Sequence, residues 1–189
     1  GYEADDLIAT SAKYFSARGT PVVIVSGDKD LMQLVADGVK LLDSGKDKWI
    51  GLDRVKEKFG VEPEKVVEVM GLMGDSTDNI PGVKGIGEKT AIALIQRYHS
   101  LENLFDHLDE LETTGLKGVE RIRKALVAGK DAAFLSRELA TVRTDVPIRV
   151  DLAGLRYHGP RREKLHGLFT ELEFTNLLKG LDSEGADKI

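Results

Sequence analysis

A chain of 189 residues, 41% hydrophobic and 31% charged, has enough apolar material for one sizeable core. No apolar run approaches the roughly 20 residues that cross a bilayer, which argues against a membrane-spanning helix. The absence of cysteine excludes disulfides, thiolate metal sites and cysteine nucleophiles, and it fits a reducing, cytoplasmic setting.

The first elements read as α/β. Apolar spacing predicts a helix from Leu7 to Phe15, stopped by Gly19. Val22-Val23-Ile24-Val25 is a β-branched run of the kind buried on both faces of a parallel sheet. Asp30 to Val35 reads as a short helix and Val39 to Leu42 as a second strand. Ser44 to Asp47 reads as a turn, and Lys48-Trp49-Ile50 as a third strand whose Trp49 packs on the core. The chain then turns helical. Helices are predicted over Asp53–Phe59, closed by Gly60, and over Glu64–Met73, with Pro63 at its start. Thr90–Tyr98 follows, then Leu101–Leu108 with Ser100 as cap and Asn103 where a capping box has Glu. Two separate helices are predicted near Val119–Val127 and Ala132–Val142, and a late one over Arg161–Phe169. The polar end from Asp182 to Ile189 reads as a frayed linker. The four histidines show no ligand-like grouping.

Acids gather in three clusters: Glu3, Asp5 and Asp6; Asp28 and Asp30; Asp75 and Asp78. Each has a plain reading taken alone. The first suits a helix N-terminus, the second an N-cap after a strand, the third a capped turn. Yet Asp28 and Asp30 follow a strand's carboxyl end, where α/β proteins place their sites. An extended backbone would point both the same way. Three clusters in one small domain would repel unless a cation sat among them. Carboxylates without His or Cys suit a hard ion, Mg²⁺ or Mn²⁺, better than zinc. The net charge of −5 counts against nucleic acid only until these seven acids are set aside, which leaves basic residues in slight excess.

Ile80-Pro81-Gly82-Val83-Lys84-Gly85-Ile86-Gly87-Glu88-Lys89-Thr90-Ala91 has the helix–hairpin–helix pattern. Its glycines permit positive φ or close backbone approach. N–H groups at the new helix start can hold a phosphate oxygen, with Lys84 and Lys89 adding charge. Gly82, Val83, Lys84, Gly85, Ile86, Gly87, Lys89 and Thr90 are therefore the candidate DNA-binding residues, and the plain alternative is a connector between packed helices. The basic residues Arg97, Lys117, Arg121, Arg123 and Lys124 read as a solvated face.

Taken together, "GYEADDLIAT", "VSGDKDLMQLV", "GLMGDSTDNIPGVKGIGEKTA" and the tail "LRYHGPRREKLHGLFTELEFTNLLKGL" resemble the 5′-nuclease domains of bacterial DNA polymerases I, relatives of the flap endonucleases. The resemblance covers almost the whole chain. It implies a small, mainly parallel sheet with flanking helices (5′-nuclease/PIN-like) and a helical helix–hairpin–helix region. It also implies a metal-dependent nuclease of replication and repair that cuts 5′ flaps, nicks and ends of DNA, RNA primers included. Glu3, Asp5 and Asp6 then correspond to ligands around a first metal; Asp28, Asp30 and Asp78, with Asp75 close by, correspond to ligands around a second. Gly82 to Gly87 corresponds to the duplex-binding hairpin, which in the family often holds K⁺ through backbone carbonyls. No protein nucleophile is implied.

The expected organisation is a nuclease core over 1–60, the hairpin region over 61–145, a closing segment over 146–181 and a linker over 182–189. Gly1 matches a position well inside the family's domain, so the chain is expected to be a piece of a longer protein that includes a polymerase region. The family's N-terminal region, with a central strand carrying an aspartate, another metal-binding aspartate and a helical arch, is expected to be missing from it. Little or no activity is expected of the chain alone. An exposed edge at Val22–Val25 is expected to bring self-association, repacking, or disorder near Gly1 and Lys46. The rival reading is a non-catalytic duplex-DNA-binding module whose acidic clusters are structural. A nucleotide-handling protein outside nucleic-acid metabolism is disfavoured, since there is no P-loop or GxGxxG.

Overall fold

The computed structural model describes residues 1–183. Of the linker expected over 182–189, all but its first two residues lie outside the described residues. Residues 1–148 form one compact unit, and a second begins at Arg149.

The first unit opens with helix α1 (Ala4–Ser16). It starts three residues earlier than its apolar spacing predicts. Glu3 accepts from the third helical residue, and the Asp6 side chain returns to the Glu3 N–H at 3.2 Å, a reciprocal cap that extends the helix through Asp5 and Asp6. Three strands follow: β1 (Val22–Val25), β2 (Val39–Asp43) and β3 (Lys48–Ile50). β1 pairs parallel with β2, Val22 opposite Val39. β2 pairs antiparallel with β3, Leu41 opposite Ile50. The expected mainly parallel sheet is therefore mixed, because the tight turn at 44–47 joins β2 to β3 as a hairpin. Asp43 and Lys46 order that turn. The Lys46 N–H donates to the Asp43 carbonyl and Oδ1 at 3.2 Å, and its ammonium to Oδ2 at 2.9 Å.

Burial on the sheet alternates. Ile24, Leu41 and Ile50 face the core, while Val25, Leu42 and Trp49 form a row on the other face. Val23 is 48% exposed, Val25 61% and Trp49 53%. This corrects two expectations: β1 is buried on one face only, and Trp49 does not pack on the core. Among the described residues β1 pairs with β2 alone, so its other edge and its outer side chains present the expected apolar surface.

The helical part is built on α3 (Val66–Met73), reached through α2 (Leu52–Phe59) and a 3₁₀ turn over Pro63–Lys65 that replaces the start of the predicted helix. Gly60 closes α2 in the left-handed region, φ 66°. α4 (Glu88–Tyr98) and α5 (Leu101–Asp106) follow. Ser100 Oγ caps α5 by accepting from the Asn103 N–H at 3.2 Å, and the Asn103 amide turns to the Tyr98 carbonyl instead of closing a box. α5 then gives way to a 3₁₀ stretch, Leu108–Thr114.

α6 (Val119–Ala140) is one helix of 22 residues where two are predicted. The gap predicted between them is helical, and Gly129 lies inside it with Val83 packed against its bare face; a Cβ there would sit 2.8 Å from Val83 Cγ1. Glu68, buried on α3, accepts from the Leu101 N–H at 2.9 Å and from Arg137 of α6 at 3.1 Å, which ties three helices together. The hydrophobic cluster runs without interruption from Ala12 and Ile24 to Ala133 and Ala140, so residues on both sides of Gly60 share one core.

The second unit contains α7 (Arg162–Glu171) and α8 (Thr175–Ser183), the latter not predicted. The Phe169 and Phe174 rings pack tilted at 43° with centroids 6.3 Å apart, and Arg162 donates to the Leu181 carbonyl at 2.7 Å. No helix among the described residues is long and apolar enough to cross a membrane.

Candidate functional site

At the carboxyl end of β1 the chain passes through Ser26 and Gly27 into a tight turn. The Asp28 N–H donates to Ser26 Oγ at 3.0 Å, and Asp28 Oδ1 accepts from the Asp30 N–H at 2.9 Å. Lys29 is helical (φ −72°, ψ −23°), so the backbone is not extended here. The turn, and not strand alternation, brings Asp28 and Asp30 to one side. Asp5 and Asp6 lie in the first turn of α1. Asp6 Oδ1 also accepts from the Arg143 N–H at 2.8 Å, which ties α1 to the chain beyond α6.

The third cluster sits on a loop closed at its base, where Asp75 and Ile80 exchange backbone hydrogen bonds of 2.9 and 2.7 Å. Asp78 is at the exposed crown. Asp75 is behind it, its side chain 2% exposed, with Oδ1 accepting from the Thr77 N–H at 2.8 Å and Oδ2 against the Lys29 ammonium.

Six of the seven acids line one cavity of about 260 Å³: Glu3, Asp5, Asp6, Asp28, Asp30 and Asp78, closed by the last turn of α6 from Leu139 and by Val142. Asp75 adjoins it from behind. Asp30, Asp75 and Asp78 each offer a carboxylate oxygen within 4.8 Å of the other two. Burial and then the Asp28 charge, followed by Glu3, Asp6 and Asp78, push the Asp5 carboxyl up. Asp30 is pushed up to about 6, first by burial and then by Asp28, Asp75 and Asp78. Burial also pushes Asp75 upward, but Lys29 and the Thr77 N–H outweigh it and hold that carboxyl below its ordinary value. Asp30 Oδ1 is buried without a hydrogen-bond partner among the described residues. An oxygen-only donor set in which a buried oxygen has neither hydrogen bond nor ion pair fits a hard divalent cation.

The hairpin abuts the acid loop. Gly82 is buried at φ 61°, packed against the backbone of Gly74, and its N–H donates to the fully buried Ser136 Oγ at 2.9 Å. The Val83 N–H donates to the Leu72 carbonyl at 2.8 Å, and Val83 and Ile86 turn into the core. Lys84, Gly85, Gly87 and Lys89 are exposed, and Thr90 is half-buried. Gly87 caps α4 without a side-chain bond, which leaves its first-turn N–H groups to a ligand, beside the negative Glu88. Arg121 reaches to Gly85, whereas Arg123 is engaged by Glu112, Glu120 and the Leu108 carbonyl.

Sequence reasoning missed Lys29 and Ser136. Lys29 stood in plain view between two aspartates, but nothing in its spacing says that its ammonium reaches a loop 46 positions later. Ser136 lies in a helix interior, where serine carries no local signal.

An acid-lined cavity at the end of a strand, joined through glycines to a hairpin that opens a helix, is the arrangement of the 5′-nuclease class. Family comparison makes this specific. Residues 1–60 match the "5′-3′ exonuclease, N-terminal resolvase-like domain" and residues 61–163 the "5′-3′ exonuclease, C-terminal SAM fold". The chain belongs to the 5′-3′ exonuclease family. It is 42% identical over 190 residues to DNA polymerase I of Bacillus subtilis (strain 168), covering 98% of this chain and 21% of that protein. It is 46% identical over 179 residues to DNA polymerase I of Rhizobium leguminosarum, covering 95% of this chain and 17% of that protein. The chain thus spans about a fifth of the length of these relatives. Among solved structures it is similar to the 5′-exonuclease of bacteriophage T5 with bound divalent metal ions (zinc), at TM-score 0.64 and 28% identity over 74% of this chain and 50% of that one. The T5 flap endonuclease in a pseudo-enzyme-product complex with DNA and metal ions gives TM-score 0.63 and 26% identity with the same coverage.

Proposed function

We propose that this chain forms the metal-binding and duplex-binding part of a 5′-3′ exonuclease or flap endonuclease that hydrolyses phosphodiester bonds of DNA and of RNA primers. The observation that carries this reading is the convergence of acids from three distant segments on one cavity, with a buried Asp30 oxygen left unpartnered. Asp28, Asp30 and Asp78 would hold one Mg²⁺ or Mn²⁺, with Asp75 behind them, and Glu3, Asp5 and Asp6 would serve a second. Such ions activate water and stabilise the leaving oxygen. The protein's part is to hold the carboxylates and to fix the duplex beside them.

On this reading residues 1–60 carry the acids of the first two clusters, and residues 61–145 carry Asp75, Asp78 and the hairpin. Residues 146–181 are the C-terminal segment of the same nuclease domain. The exposed backbone of Gly85 and Gly87, with Lys84, Lys89 and Thr90, would grip phosphate oxygens, while Gly82, Val83 and Ile86 hold the hairpin's shape; K⁺ held by hairpin carbonyls belongs to the same reading. The substrate would be DNA with a 5′ flap, nick or end, the partner a polymerase region of the same polypeptide, and the setting cytoplasmic.

Two measurements test it. In duplex binding by the chain, replacing Lys84 and Lys89 together by Glu is expected to weaken affinity roughly tenfold and flatten the salt slope by about 2. Unchanged binding would remove the hairpin from the interface. In a polypeptide of the relatives' length carrying this segment, Asp28→Ala and Asp78→Ala should abolish flap cleavage and leave DNA binding intact. Retained cleavage would favour the non-catalytic module with structural acids.

A further inference from the structure

Asp75 differs from the other acids of the site. Six face the cavity, but Asp75 is behind them, its Oδ1 accepting from the Thr77 N–H and its Oδ2 ion-paired with Lys29. A buried carboxylate is costly unless it is paired, and the Lys29 ammonium supplies that pairing from the turn that also carries Asp28 and Asp30. Asp30 Oδ1, by contrast, is buried with neither a hydrogen bond nor an ion pair among the described residues, whereas Asp75 Oδ2 has its ion pair with Lys29. Because Asp30, Asp75 and Asp78 have oxygens within 4.8 Å of one another, a divalent ion drawn to Asp30 and Asp78 arrives beside the ammonium already on Asp75. The two cations repel, and only one can occupy Asp75 Oδ2.

We propose that Lys29 is the resident counter-cation of this cluster: its ammonium holds Asp75 when no divalent ion is present and competes with the ion for that carboxylate. The inference rests on the reading of the cluster as a divalent-cation site. Lysine suits the task. Its charge is a compact point on a flexible stem, and its side chain is 33% exposed, so it has a route to solvent when displaced. The consequence is a site kept in shape while empty, with an affinity set below what its acids alone would give.

The test is Mn²⁺ binding by the 189-residue chain, followed by the electron paramagnetic resonance signal of the free ion. Removing a positive charge a few ångström from the ion is expected to tighten Mn²⁺ binding about tenfold in Lys29→Met. The metal-free melting temperature should fall, because Asp75 is left buried and unpaired. Lys29→Arg, which keeps the charge, should stay within about twofold of wild type, and Lys29→Gln provides a second neutral side chain should the Met variant fold poorly. In an Asp75→Asn background the effect of Lys29→Met should shrink to within about twofold, since the ammonium is no longer held beside the ion and has no carboxylate there to compete for. Unchanged or weaker Mn²⁺ binding in both neutral variants, or full tightening that persists in the Asp75→Asn background, overturns the proposal while the metal site stands. A wild-type chain that binds no Mn²⁺ overturns both.

Discussion

Asp30→Asn is expected to raise the melting temperature of the metal-free chain at neutral pH and to weaken divalent binding by about a hundredfold or more, since a full negative charge a few ångström from a doubly charged ion is lost. The two effects have opposite signs because one carboxylate serves the ion at the expense of the empty fold. Burial first, and then Asp28, Asp75 and Asp78, push Asp30 from the ordinary 3.8 up to about 6. The folded chain therefore keeps a proton that the unfolded chain gives up. Between about pH 4 and 6 the unfolded state binds fewer protons, so stability falls as pH rises through that window and stays low above it. Asparagine does not ionise, so the variant should lose this slope. A saturating divalent ion should remove it from the wild type as well, by supplying the missing counter-charge. Below about pH 6 the proton on Asp30 must leave before the ion binds, so affinity should drop roughly tenfold per pH unit. Melting curves in EDTA across pH 4–8, paired with Mn²⁺ titrations, check both signs. A wild-type melting temperature that rises steadily toward neutral pH, with the Asn variant following it, would show that Asp30 is not the misplaced charge.

Much of this site could be read along the chain because its parts are local. Val22–Val25 as a strand, Gly60 as a helix stop and Ser100 as a cap each follow from a short window of sequence. The three acid clusters could be read as clusters, but their convergence depends on the 3₁₀ turn at Asp30, the early start of α1 and the pinched loop at Asp75–Ile80. Where reading failed, a distant partner decided. The two helices predicted near Val119–Val127 and Ala132–Val142 are one, with Val83 packed on the bare face of Gly129 between them. Trp49 looks like a core residue because aromatic residues in strands usually are, yet its strand alternates and it falls on the outer face with Val25. The polar Asp28-Lys29-Asp30 stretch carries no sign that its lysine crosses to Asp75.

Gly82→Ala is expected to cost about 4 kcal/mol or more and to abolish metal and duplex binding together. Gly82 sits at φ 61°, where a side chain is strained in any surroundings, and here the surroundings are backbone. A Cβ would lie 2.6 Å from Met73 C and closer still to Gly74 N, and neither can rotate away as a side chain could. Gly74, itself at φ 69°, ends α3 and opens the loop that carries Asp75 and Asp78; a Cβ on it would meet the Ile80 carbonyl oxygen at 2.6 Å. Pushing Gly82 away also strips the Gly82 N–H from the fully buried Ser136 Oγ. The acid loop and the hairpin thus share one glycine contact, and disturbing it moves both. Gly85→Ala is the control. Its φ of 92° also disfavours a side chain, but the nearest atom is the end of Arg121 at 4.0 Å, so a cost of about 1–2 kcal/mol is expected, with duplex binding affected and Mn²⁺ binding spared. Urea denaturation, Mn²⁺ titration and duplex binding on the two variants separate the cases. If Gly82→Ala lost duplex binding while its Mn²⁺ affinity stayed intact, the loop and the hairpin would be independent, and the acids would owe their positions to α1 and the Asp28–Asp30 turn alone.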